Sequence, residues 1–271
     1  MECLKQLSAR SLAAEGGHMS KAFEQHGIDH LSSSQINTWI AAPSYWVLNK
    51  LMGVKGSMGC AAHRGTATES GVSAGLFDHA LSAEDCTGIA LPLYDRATAL
   101  NGDPNRDKER AAIPGMVEIA LQELRPRGVP IRPNGDQHKI EIQLEGVSVP
   151  IVGYLDWMYE TEVIDLKTTL RVPSQMSESH LRQATIYKVA IPDKRNRFFY
   201  TSDKKSVIHT LNREQYDKAL TEITGAARRL ERFLSLSTDR HELAAMVPHS
   251  SESFYFSDSA VKAEAVKVFG Y

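Results

Sequence analysis

Between Gly153 and Thr168 the chain reads Gly-Tyr-Leu-Asp-Trp-Met-Tyr-Glu-Thr-Glu-Val-Ile-Asp-Leu-Lys-Thr, and this stretch limits the fold more than any other. Its two halves read as strands meeting at a tight turn. Ile164 and Leu166 alternate with Val163, Asp165 and Lys167, so Asp165 and Lys167 share one sheet face. A turn centred on Glu160 and Thr161 sets Asp156 opposite Asp165, and Tyr154 opposite Lys167. Two carboxylates facing each other across a ladder repel. A divalent cation relieves that repulsion, and hard cations such as Mg²⁺ take oxygen ligands.

The chain has 271 residues, of which 42% are hydrophobic, enough for one large domain with a full core. A formal net charge of −2 argues against a generally basic nucleic-acid coat. Binding to DNA would have to come from a local basic surface together with metal. No apolar run approaches the roughly 18 to 20 residues that span a bilayer, and no secretory signal is evident, so no membrane association and a cytoplasmic setting are expected. Cys3, Cys60 and Cys86 are isolated, without C-x-x-C spacing. They offer neither a disulfide framework nor a zinc site, nor four ligands for an iron–sulfur cluster. Residues 1–18 read unlike the rest, and Gly-Gly-His-Met at 16–19 resembles an expression leader, so a natural start is expected at Met19.

Serine N-caps at 32–34 open a helix carrying Ile36, Trp39 and Ile40 on one face; Pro43 breaks it and a second helix begins at Ser44. Gly59 to Glu69 is rich in small residues suited to close helix packing. Within that stretch His63 and Glu69, six residues apart, fall on different faces of a regular helix. Residues 77 to 105 are expected to form a short helical insertion and a surface loop. A helix follows from Asp107 to Glu123. Gln137 to Leu144 alternates as a strand, Glu145-Gly146 turns, and Val147 to Tyr159 forms the next strand. After Thr168 a short loop leads to a helix over Glu178 to Ile191, which places Gln183 and Tyr187 on one face. Asp193 to Arg197 is read as a basic turn, with Lys194, Arg195 and Arg197 as phosphate contacts. Two strands follow, then a long helix capped by Asn212, and a last helix over Ser259 to Phe269.

Asp156, Asp165-Leu166-Lys167 and Gln183-x-x-x-Tyr187, in this order, resemble the PD-(D/E)xK nuclease superfamily, in its RecB-like and phage-exonuclease branch without an iron–sulfur cluster. Ala42 stands where cluster-bearing members have a cysteine, and Arg64-Gly65 followed by Glu69 is similar to a motif of phage exonucleases. The resemblance covers about residues 31 to 211. It implies an α/β fold with a restriction-endonuclease-like αβββαβ core, a central mixed sheet flanked by helices, and N- and C-terminal helical additions. The expected layout is one nuclease domain over 19–271, with its core at about 59–211 and helical additions at 31–58 and 212–271.

The activity implied is a Mg²⁺- or Mn²⁺-dependent DNA exonuclease serving recombination, repair or end processing in a bacterial or phage-infected cytoplasm. The alternatives are an endonuclease, or a DNA-binding protein that kept the fold. Asp156, Asp165, Lys167, Gln183 and Tyr187 take the catalytic positions. Asp156, Asp165, the backbone carbonyl of Leu166, and His63 or Glu69 are the implied metal ligands. Arg64, Gln183, Tyr187 and the 194–197 cations would meet linear DNA with a free end. A recombination or single-strand-binding protein is the implied partner. No P-loop is present, so no helicase activity is expected.

Overall fold

A computed structural model describes residues 21–132 and 137–270; the leader expected at 1–18, Met19 as a start, and Cys3 lie outside them. The N-terminal part is helical, with α1 (Ala22–Gln25), α2 (Ser33–Ala41), α3 (Pro43–Lys50), α4 (Cys60–Phe77), α5 (Ala83–Ala97) and α6 (Arg106–Leu124). Ser32 caps α2 by accepting the Gln35 N–H at 3.2 Å, and Pro43 opens α3, where a missing N–H costs nothing. The strands β1 (His138–Ile142), β2 (Ile151–Leu155), β3 (Trp157–Met158) and β4 (Glu162–Thr168) follow, then α7 (Glu178–Ala190), β5 (Arg195–Thr201) and β6 (Ser206–Thr210). The chain continues through α8 (Arg213–Leu234), α9 (Arg240–Ala245) and α10 (Ser259–Phe269).

A mixed sheet in the order β3-β4-β5-β6 forms the centre, with β4 parallel to β5 and the outer pairs antiparallel. Helix α7 is the crossover between the two parallel strands, as a parallel connection requires. Both central strands are covered on both faces, so each sends apolar residues to both sides. Val163 and Phe198 pack with α7, α8, α2 and α3, whereas Ile164, Leu166 and Phe199 pack with α4, α5 and α6. The result is a mixed α/β architecture with helical layers on either face. Helix α4 lies close on α5. A Cβ at Gly71 would stand 2.6 Å from the Cys86 carbonyl oxygen, and one at Gly75 would stand 2.6 Å from Cys86 Sγ.

The central hairpin turns at Glu160 and Thr161, and the Tyr159 N–H donates to the Glu162 carbonyl at 2.7 Å. Trp157 pairs with Ile164, in the register that sets Asp156 against Asp165. The ladder stops there. Expected as one strand from Val147 to Tyr159, the preceding segment is divided at Asp156. Its first part, β2, leaves β4 and pairs antiparallel with β1, so Tyr154 faces Lys139 instead of Lys167. Two other expectations are corrected. Residues 83–97 form a full helix, begun by a reciprocal Ser82/Asp85 cap and continuing through Pro92. Arg195 to Arg197 belong to β5, because that strand starts beside Glu162 at the beginning of β4. Among the described residues, no helix is long and apolar enough to cross a membrane.

Candidate active site

Because β4 alternates, Asp165 must point toward α7, the same side as Val163. It is 2% exposed. Gln183 and Tyr187, four residues apart on α7, present adjacent side chains to it. Gln183 Nε2 donates to Asp165 Oδ1 at 3.1 Å and to the Tyr187 hydroxyl at 2.7 Å. The Tyr187 oxygen lies 3.1 Å from the same Oδ1 and 2.8 Å from the Tyr154 carbonyl oxygen. One amide and one phenol therefore fix the carboxylate and tie α7 to both β2 and β4. Asp165 Oδ2 is buried and faces Lys167 Nζ at 2.5 Å.

Asp156 occupies the break between β2 and β3. There its Oδ2 accepts the Leu166 N–H at 2.7 Å, replacing the ladder partner that β2 took away. Burial raises the Asp156 carboxyl well above its ordinary range, and Asp165 and Glu69 push it further the same way. Glu69 reaches the site from α4. Burial raises its carboxyl and Asp165 adds to this, against Lys167 and a 2.8 Å hydrogen bond from Gln137. Three carboxylates thus repel one another, with Lys167 as the nearby cation. Among the described residues, no three His, Cys, Asp or Glu side chains are grouped so as to hold a metal ion. The Asp156 oxygen is turned to the Leu166 amide and the Glu69 oxygen to Gln137.

A cleft of about 830 Å³ opens at the C-terminal ends of β4 and β5. Glu69, Leu166 and Lys167 line it, joined by Thr66, Thr168 and Arg171. His63 does not line it; the helical spacing that brings Glu69 to the cleft carries His63 to another face. Arg64 is no surface cation. It is 5% exposed, paired with Glu109 of α6, and donates to Thr168 Oγ1 at 3.3 Å and to the Thr168 carbonyl at 3.0 Å. Lys194 holds the hairpin turn through the carbonyls of Tyr159 (2.8 Å) and Glu160 (2.5 Å). Arg197 and Arg127 both pair with buried Glu162. Arg195 is exposed, at the end of β5 away from the cleft.

Three lining residues escaped the sequence reading. His180 precedes Gln183 by three and Tyr187 by seven, so helical spacing alone places it on their face. Its Nδ1 lies 2.5 Å from the Tyr200 hydroxyl, and burial, helped by Lys167, lowers its pKa to about 4. Tyr200 pairs with Lys167 across the parallel ladder, a contact legible only once β5 is aligned with β4. Burial and Asp165 both raise its phenol. Arg171 lies in the loop after β4, where no periodicity marks it. Its guanidinium makes no hydrogen bond or ion pair with a described group. Compared with known proteins, the chain matches no family model and no curated protein.

Proposed function

We propose that this chain is a divalent-metal-dependent deoxyribonuclease of the PD-(D/E)xK kind, hydrolysing DNA phosphodiester bonds as an exonuclease. The observation that carries the reading is the convergence on Asp165. Gln183 and Tyr187 bind one of its oxygens, while Lys167 from two residues along the strand faces the other. Supporting it is the element order of α4, then after α5 and α6 the four strand segments β1 to β4, α7 and β5, which resembles the αβββαβ core of restriction-endonuclease-like proteins once β2 and β3 are counted as one divided strand.

The donor set suits a hard cation. It is all oxygen and excess in negative charge, with the buried Asp165 Oδ2 met by Lys167. To hold Mg²⁺ or Mn²⁺ together with Asp165 and the Leu166 carbonyl, Asp156 would have to turn from the Leu166 amide and Glu69 from Gln137. When bound, such an ion lowers the pKa of water and neutralises charge on the scissile phosphate. Lys167, at the edge of the cleft, orients the attacking water and offsets charge on the phosphate. Gln183 and Tyr187 keep Asp165 in one orientation, and Arg171 and Thr66 offer donors to the phosphate backbone. Chemistry on the backbone needs no base readout, so sequence specificity is not expected.

The test is cleavage of end-labelled linear DNA, single- and double-stranded, with Mg²⁺, Mn²⁺ or chelator. Lys167→Ala and Asp165→Ala should each lower cleavage by at least about 100-fold with folding retained. Gln183→Ala should weaken it less. Wild-type rates in both of the first two variants would remove the site assignment. Circular DNA cut as fast as linear DNA would make the enzyme an endonuclease.

A further inference from the structure

A second cavity, of about 500 Å³, lies at the other end of β5, between the last turn of α7 and the start of α8. It shares no lining residue with the cleft. Lys188, Arg195 and Arg213 bring three cations to its wall, and no Asp or Glu lines it. Lys188 Nζ rests on the carbonyls of Pro192 (2.5 Å) and Lys194 (3.2 Å), and Arg195 reaches Thr161 Oγ1 at 3.4 Å. Neither forms an ion pair with a described carboxylate. Arg213 is paired with Asp217 at 2.7 Å and lies 5.8 Å over the Tyr216 ring.

A further group in this wall is unpaired. Asn196 is 6% exposed; its amide N–H donates to the Ala184 carbonyl at 3.3 Å, and its Oδ1 has no partner. The N-terminus of α8, a 22-residue helix, adds partial positive charge to the same wall. The cavity therefore combines two cations outside any ion pair, Lys188 and Arg195, with an aromatic ring. Its size falls in the range of roughly 300–1,000 Å³ usual for small-molecule sites. Inorganic phosphate would use the cations alone and leave Tyr216 idle.

We propose that this cavity binds a nucleotide unit, with its phosphate held by Lys188 and Arg195 and its base laid against Tyr216. The unit is either a free mononucleotide or one residue of a nucleic-acid strand. Because the cavity is separate from the cleft, the inference stands apart from the nuclease reading.

The experiment is equilibrium binding in chelator, with a labelled deoxynucleoside 5′-monophosphate, the matching nucleoside, inorganic phosphate and a short oligonucleotide. The nucleotide or the oligonucleotide should bind saturably and more tightly than nucleoside or phosphate. Arg195→Ala should weaken that binding about tenfold, the loss of one charge-assisted hydrogen bond. Tyr216→Leu, which keeps apolar bulk against the helix, should weaken it less, and circular dichroism checks that both variants fold. Binding by the oligonucleotide alone assigns the site to a strand; binding by the mononucleotide assigns it to the free form. No saturable binding, or binding untouched by either variant, overturns the proposal. So does loss in Lys167→Ala with Arg195→Ala unaffected, which places the nucleotide in the cleft.

Discussion

Asp165 is a carboxylate at 2% exposure within an apolar sheet, tolerated only because hydrogen bonds and a counter-charge replace its water. Gln183 and Tyr187 supply the first and Lys167 the second. His180 shows the converse, a base kept neutral by burial and by Lys167. In the unfolded chain a histidine takes its proton near pH 6.5, whereas folded His180 takes it only at about 4. Between those values the unfolded state binds the extra proton. The stability that this burial carries is therefore full above about pH 6.5 and lost as pH falls toward about 4. Urea unfolding of wild type and His180→Gln tests this. From about pH 7 to about pH 5 the wild type should lose on the order of 1–2 kcal/mol more than the variant. Equal losses would mean that the imidazole titrates freely.

At the scale of elements, the site is held by a clamp that joins α4, α6 and the end of β4. Arg64 spans all three, paired with Glu109 and bonded to Thr168. Arg64→Ala should cost about 3–5 kcal/mol, since it leaves a buried carboxylate without its partner. The double variant Arg64→Met/Glu109→Leu should recover most of that, measured by chemical denaturation, and should still cleave DNA. A stable double variant without activity would return Arg64 to the substrate. The expectation of a DNA contact went astray here because spacing marks Arg64 as a cation on a helix, and only tertiary packing buries it. The hairpin and α7 were legible because period two and period 3.6 are local, and with them Asp156, Asp165, Lys167, Gln183 and Tyr187. The parting of β2 from β4 was not, since it depends on β1 competing for the same strand. Helix α5 had a readable start in Ser82 and Asp85, but Gly88 and Pro92 weaken its helical pattern, and packing against α4 overrides them.

Across the whole molecule, several arginines are engaged in ion pairs within the fold. Arg64 is paired with Glu109, Arg110 with Asp95, Arg127 and Arg197 with Glu162, and Arg182 with Glu222. Burial alone would raise the Glu162 carboxyl, but its two arginines hold it below the usual range, so these cations are committed to the fold. A formal net charge of −2 leaves the steering of a duplex to local groups of cations. Lys167 and Arg171 line the cleft, and Lys188 and Arg195 line the second cavity. Each neutralised phosphate steepens the dependence of log Kobs on log salt by about 0.9 for duplex and about 0.7 for single strands. Contact at the cleft alone then gives a slope of about −2, and contact at both places about −3 to −4. Salt titration of oligonucleotide binding in chelator measures this directly, and Arg195→Ala should flatten the slope by about 1 if the strand reaches the second cavity. A slope steeper than about −7 would require phosphate contacts beyond these two places. The weak slope has a consequence for mechanism: divalent metal, by cancelling the repulsion among Asp156, Asp165 and Glu69, should tighten DNA binding more than lowering the salt does.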